Sequence, residues 1–322
     1  MEAWLFILLG LALLGVGGEA LIRGASGIAL LARLTPAVIG LTIVAAGTSM
    51  PEMVVSVQAA LAGSPGLAIG NVVGSNIFNI GLILGLTALI IPLQITGNTV
   101  RLEWPVMALA AFQMHLLARD MVIDRFEGGF LFAAMVAFIG YAVLVGRRTA
   151  TQTEQQEFAG ELTTASFGQT GALAGLLNTL AIALGIVLLA LGADFLVKGA
   201  VEIASSFGVS ETIIGLTVVA AGTSTPELVT SLVAAWRGKN DIAVANVVGS
   251  NIFNVLGILS VTALVQPVPV PLEIIARDNW WMLGITALML PLMARTMRIT
   301  RVEGSILLLV FLAYITVLIR AA

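Results

Sequence analysis

Residues Gly40–Gly85 and Gly215–Ser260 are two copies of one segment, offset by 175 positions and identical at 28 of 46 of them. Within the copies, NVVGSNIFN at Asn71–Asn79 recurs letter for letter at Asn246–Asn254, and AAGTSMPE at Ala45–Glu52 returns as AAGTSTPE at Ala220–Glu227. Such a chain must use one supersecondary unit twice. Composition names the solvent: 59% of residues are apolar, 10% are charged and the mean hydropathy is +1.05, whereas soluble domains carry roughly 25% charged residues. The chain is a membrane protein.

A helix needs about 20 apolar residues to cross a bilayer, and turn and charge signals divide the sequence into stretches of about that size. They run 4–30, 36–62, 67–91, 101–118 and 126–146, then 171–205, 211–236, 242–266, 279–294 and 302–320. An odd number of spans per copy makes the second enter the membrane upside down, which gives an inverted repeat. The expected fold is an all-α integral membrane protein of ten transmembrane helices, in two inverted five-helix repeats with broken helices at the midplane. Residues 1–146 form the first repeat, 147–170 a polar linker and 171–322 the second repeat. The first stretch has no basic residue before it and no clear cleavage signal, so it reads as a retained helix.

Lys and Arg favour the cytoplasmic side. With the N-terminus outside, the inner side collects Arg23, Arg33, Arg101, Arg147, Arg148, Arg237, Lys239, Arg295, Arg298 and Arg301, leaving Arg119, Arg125, Lys198, Arg277 and Arg320 outside. Both termini are therefore predicted extracytoplasmic and the linker cytoplasmic, in the cell (inner) membrane. A net charge of −3 offers no basic field for nucleic acid. Zero cysteines exclude disulfides and thiolate metal sites, and the single histidine, His115, excludes a multi-histidine centre. Any bound metal must be held by oxygen.

Glu52 and Glu227 fall mid-span, where an ionised carboxylate costs several kcal/mol unless it meets a partner or a wet cavity. Thr48 precedes Glu52 by four residues and Ser75 precedes Asn79 by four, so each pair shares a helix face; Thr223, Glu227, Ser250 and Asn254 repeat the pattern. Pro51 and Pro226 lack an N–H, which leaves the carbonyls of Gly47 and Gly222 without their helical donor. With the carbonyls of Ala45 and Ala220 one turn earlier, these oxygens can point at an ion. Calcium takes six to eight oxygens. One Ca²⁺ matches two carboxylates, whereas one Na⁺ leaves the pocket underfilled, so occupancy should be mutually exclusive and transport should be exchange.

The paired GTSxPE and GNVVGSN motifs resemble the alpha repeats of the calcium/cation antiporter superfamily, specifically the prokaryotic sodium/calcium exchangers, over nearly the whole chain. The resemblance implies a midplane cation cluster reached alternately from either side. It places Glu52 and Glu227 as central ligands, with Thr48, Ser49, Ser75, Asn79, Thr223, Ser224, Ser250 and Asn254 around them and carbonyls from Ala45 and Ala220. The partners implied are Ca²⁺, Na⁺ and the bilayer, with no cofactor, no nucleic acid and no obligate protein partner. Some members, the potassium-coupled exchangers among them, carry an aspartate where this chain has Asn254, so two amides argue against potassium co-transport. The linker is too short for a calcium-sensing domain.

Glu19 with Arg23, and Asp194 with Lys198, form i,i+4 pairs at equivalent repeat positions, read as stabilising or gating pairs. His115 has no repeat counterpart and reads as packed or interfacial; Trp280 and Trp281 read as an interfacial belt. Glu154, Glu157 and Glu161 read as a solvated linker face. Besides sodium-driven calcium exchange, a proton-driven cation exchanger is the alternative. A channel lacks a reason for inverted duplication, and an intramembrane hydrolase lacks a base, since no His or Lys stands in either motif.

Overall fold

The computed structural model describes residues 2–32, 34–149, 172–206 and 220–321. Helices of 12 residues or more are α1 (Glu2–Ala32), α2 (Met50–Leu61), α3 (Pro65–Phe78), α4 (Trp104–Leu117) and α5 (Arg125–Thr149), then α6 (Ala172–Ser206), α7 (Thr225–Trp236), α8 (Asn240–Phe253), α9 (Asn279–Ala294) and α10 (Arg301–Ala321). Six described helical stretches are long and apolar enough to cross a membrane, seven if Ala37–Thr48 and Met50–Leu61 count as one broken span.

Three of the ten expected stretches are not among these seven: the fourth, the seventh and the ninth. The fourth and ninth stretches are not uniform α-helices: π-helical segments Thr99–Glu103 and Ile274–Asp278 precede α4 and α9, leaving α portions of only 14 and 16 residues. The seventh stretch begins among residues outside the description, as does most of the linker. At the linker's start, α5 continues through Arg147 and Arg148 to Thr149.

The chain forms two compact units, one of Met1–Thr48 with Ile139–Asn246, the other of Ser49–Phe138 with Val247–Ala322. In the first, α1 packs along α6 at backbone distance. A methyl group added at Gly192 would stand 2.9 Å from Gly10 O, and one at Gly17 would stand 2.9 Å from Leu189 N. The glycines recur every seven residues on both helices, Gly10, Gly17 and Gly24 against Gly185, Gly192 and Gly199. Small residues at that period let two membrane helices approach closely. On α1 the side chains of Trp4, Leu5, Leu8 and Leu11 are exposed, the surface a helix presents to lipid.

In the second unit, α3 runs into the π segment Asn79–Leu84 and then Gly85–Ile90, and α10 packs against this column, with Phe311 over Gly81 and Gly304 against Gly85. α8 likewise runs into the π segment Asn254–Leu259. The unit also contains two short antiparallel strand pairs, which an all-α expectation omits. β1 (Leu93–Gln94) pairs with β4 (Arg298–Ile299), and β2 (Val122–Ile123) pairs with β3 (Val268–Pro269). The 175-residue offset maps one pair onto the other, so each joins a loop of one repeat to a loop of its copy.

Candidate ion-binding site

Glu52 lies in the first turn of α2, just after the break at Ser49, where φ −85° and ψ 8° leave the helical region. Ser224 breaks the chain before α7 in the same way, at φ −89° and ψ 5°, and Glu227 follows in the first turn. Both prolines sit where a helix tolerates them, at its start, so each break ends one helix and restarts another. The restart sets a helix N-terminus beside each carboxylate, whose partial positive charge favours an anionic side chain. Glu52 is 2% exposed and Glu227 1%.

The second unit holds Ser49, Glu52, Ser75, Asn79, Ser250 and Asn254, all buried. α2 packs against α3 and against the π segment that begins at Asn254. Asn71 Nδ2 donates to Glu52 O at 3.2 Å and to Ser56 Oγ at 3.0 Å, fixing the backbone that carries the carboxylate. Four buried amides then interlock. Asn79 Nδ2 donates to Asn251 Oδ1 at 3.1 Å, and Asn254 Nδ2 donates to Asn76 Oδ1 at 3.0 Å. Asn76 and Asn251 turn their own nitrogens to the sulfurs of Met282 and Met107, at 3.4 and 3.5 Å. Every amide nitrogen is thereby directed at an acceptor, while Asn79 Oδ1 and Asn254 Oδ1 are buried with no hydrogen-bond partner among the described residues. A buried carbonyl oxygen without a donor costs on the order of 1–3 kcal/mol. A cation would offset that cost.

The first unit holds Ala45, Thr48, Ala220, Thr223, Ser224 and Glu227. Thr48 Oγ1 donates to Val44 O at 3.1 Å and stands 3.3 Å from Ala45 O and 3.4 Å from Asn246 Oδ1. Asn246 Nδ2 in turn reaches Glu227 O at 3.4 Å and Ser231 Oγ at 3.0 Å. This is the Asn71 arrangement in the second copy. Ala220 opens the short helix Ala220–Thr223, and Thr225 Oγ1 donates to Ala221 O at 2.9 Å.

Among the described residues no three His, Asp or Glu gather into a metal cluster. The oxygens available in each unit are therefore one carboxylate with hydroxyls, amides and carbonyls, a hard donor set that suits Na⁺ and Ca²⁺. Sequence reading overlooked Asn71, Asn76, Asn246 and Asn251, although all four lie inside the duplicated NVVGSNIFN run that pointed to their neighbours. It also overlooked Glu103 and Asp278, repeat equivalents that are both buried. Thr99 Oγ1 donates to Glu103 at 2.8 Å, and Arg277 pairs with Asp278 at 2.8 Å. His115 Nδ1 lies 3.2 Å from Asn279 Nδ2, and the ring packs against Trp280 at 4.8 Å, a packed rather than ion-facing place.

The family described as sodium/calcium exchanger protein matches residues 2–144 and 177–320, one segment in each half of the duplication. The chain is 38% identical over 318 residues to CaxA of Alkalimonas amylolytica, covering 98% of both chains. It is 34% identical over 280 residues to the inner membrane protein YrbG of Escherichia coli (strain K12), covering 87% of this chain and 85% of YrbG. A solved structure of the sodium-calcium exchanger NCX_Mj, soaked with 10 mM Na⁺ and zero Ca²⁺, matches with a TM-score of 0.83 at 30% identity over 98% of each chain.

Proposed function

The chain belongs to the sodium/calcium exchanger protein family, and from that premise we propose that it exchanges Ca²⁺ for Na⁺ across the cell membrane by alternating access. It is a multi-pass membrane protein and not an enzyme. Glu52 and Glu227 are the central ligands of the transported ions, with Thr48, Ser49, Ser75, Asn79, Thr223, Ser224, Ser250 and Asn254 around them and the carbonyls of Ala45 and Ala220 completing the set. The observation that carries this reading is the amide interlock. It spends the nitrogens of Asn79 and Asn254 on Asn251 and Asn76 and leaves two buried oxygens for a cation.

Two acids among neutral oxygens give a charge of −2, which one Ca²⁺ balances. Several Na⁺ ions would be needed in its place, so the two occupancies exclude each other. A site emptied of both would leave carboxylates buried and unbalanced, a state costing several kcal/mol. Coupled exchange thus requires no separate gate against leak. Ten spans remain the proposed topology, since the π segments extend α4 and α9 to about the 20 residues a crossing needs. Residues 1–146 and 171–322 are the two repeats, joined by a cytoplasmic linker at 147–170. The strand pairs support the alternation, because β1 and β4 lie in loops both expected inside, and β2 and β3 in loops both expected outside.

The buried carboxylates also suit a second reading in which protons replace sodium. Calcium flux into proteoliposomes, with sodium, potassium and pH gradients imposed independently, separates the two. Flux that follows the sodium gradient and ignores potassium is expected. Flux driven as well by a pH gradient without sodium would install the proton-driven reading, and flux that stops without potassium would defeat the coupling argument.

A further inference from the structure

Each of the two lines of buried amides in the second unit starts at a sulfur. Met282 Sδ, on α9, accepts from Asn76 Nδ2 at 3.4 Å; Asn76 Oδ1 accepts from Asn254 Nδ2 at 3.0 Å; and Asn254 Oδ1 ends the line without a donor among the described residues. The other line starts at Met107 Sδ, on α4, which accepts from Asn251 Nδ2 at 3.5 Å, and passes through the 3.1 Å bond from Asn79 to Asn251 to end on Asn79 Oδ1. Adding 175 to the positions of Met107, Asn76 and Asn79 gives Met282, Asn251 and Asn254, so the two lines are repeat copies of each other. Each takes its sulfur and its terminal amide from one copy of the repeat and its middle amide from the other. Met107 and Met282 are 2% and 0% exposed, so bulk water does not compete for the sulfurs.

An amide has a donor end and an acceptor end, so two amides in line can run in either of two directions. In the observed one, both nitrogens point toward the methionine and both oxygens away from it. Turning both over would keep the bond between them, but it would set Asn76 Oδ1 against Met282 Sδ and present Asn254 Nδ2 where its oxygen now stands. A thioether sulfur accepts weakly and has no hydrogen to give. It therefore supports the observed direction and opposes the reverse, in which oxygen and sulfur lone pairs would meet. Hard cations take oxygen and are repelled by an N–H. Packing alone asks less of these positions, since leucine would fill them nearly as well.

We propose, resting on the reading of Asn79 and Asn254 as ion ligands, that Met107 and Met282 are positioning residues for transport: their sulfurs fix the direction of the two amide lines so that oxygen, not nitrogen, faces the ion. Neither sulfur touches the ion. With leucine in place of either methionine, that line is free to turn over in the empty site, and ion binding must turn it back. The loss therefore falls on binding and not on the turnover step.

The test measures calcium flux by the full-length protein in proteoliposomes. Met107→Leu and Met282→Leu should each raise the KM for Ca²⁺ about fivefold, the worth of one ordinary hydrogen bond, while kcat stays close to wild type. Thermal unfolding supplies a readout apart from flux: calcium-free melting temperatures should stay near wild type, and more calcium should be needed to raise them. Met114→Leu and Met289→Leu are the controls. These methionines lie seven residues on along the same two helices, are 0% exposed, and have no donor at the sulfur among the described residues, so their KM should not move. Because the two lines are separate, either position decides the matter if the variant at the other fails to fold. Wild-type KM in both Met107→Leu and Met282→Leu would overturn the proposal, and so would an equal rise in the control variants, which assigns the effect to packing. Wild-type protein that neither moves calcium nor is stabilised by it would instead defeat the exchange reading, and the proposal would fall with it.

Discussion

Glu52 and Glu227 are each held by the asparagine nineteen residues on, through the backbone carbonyl of the glutamate itself. A carboxylate anchored in this way could exchange one ion for another, as proposed, without the helix start moving. Replacing either by Gln keeps size and one accepting oxygen but removes half of the acid charge proposed to match Ca²⁺. At an effective dielectric near 20, a charge lost from the first coordination shell is worth several kcal/mol, or at least about a hundredfold in affinity. Glu52→Gln and Glu227→Gln should each abolish exchange while thermal unfolding stays close to wild type. Calcium flux in proteoliposomes checks this, and near-normal flux in either variant would remove that residue from the site. The glutamates were legible in the sequence because a carboxylate in an apolar run demands a reason. Asn76 and Asn251 were not, because an amide inside a repeated motif looks the same whether it faces an ion or orients the amide that does. Their partners are 178 and 172 residues away, a separation that no local pattern reports.

Between elements, hydrophobic runs marked where helices lie but not how their backbones deviate. The π segments at Asn79–Leu84 and Asn254–Leu259 open at the very asparagines of the candidate site, the place where such widened turns commonly occur in functional helices. Nothing in their composition distinguishes them from α-helix. The strand pairs escaped for a different reason, since two residues are too few to display a period of two. The glycine heptads of α1 and α6 were visible as letters, yet only the packing shows that both helices use them at one seam. There a side chain has no room. Gly192→Ala sets a methyl group 2.9 Å from Gly10 O, whereas Gly15→Ala meets nothing within 4 Å. Overpacking of this kind costs about 1–3 kcal/mol. Gly192→Ala should lower the melting temperature and slow calcium flux, and Gly15→Ala should do neither. Indistinguishable melting curves for the two would show that the seam yields without cost.

At the scale of the whole chain, the duplication carries the largest prediction, because two copies of the five spans proposed for each would face opposite sides of the membrane. It says that loops alternate but not which set faces the cytoplasm. The sign comes from the basic residues, ten against five in favour of an inner linker, and positive charge is retained on the cytoplasmic side during insertion. The chain has no native cysteine, so single introduced ones report without background. Ala322→Cys should react in intact cells with a maleimide too polar to cross the membrane, and Gln156→Cys should react only after the cells are opened. Each variant must first retain calcium flux, so that a misinserted chain is not scored. Labelling at 156 but not at 322 in intact cells would reverse the orientation, and it would leave the proposed roles of Glu52 and Glu227 unchanged, because the two copies would only exchange sides.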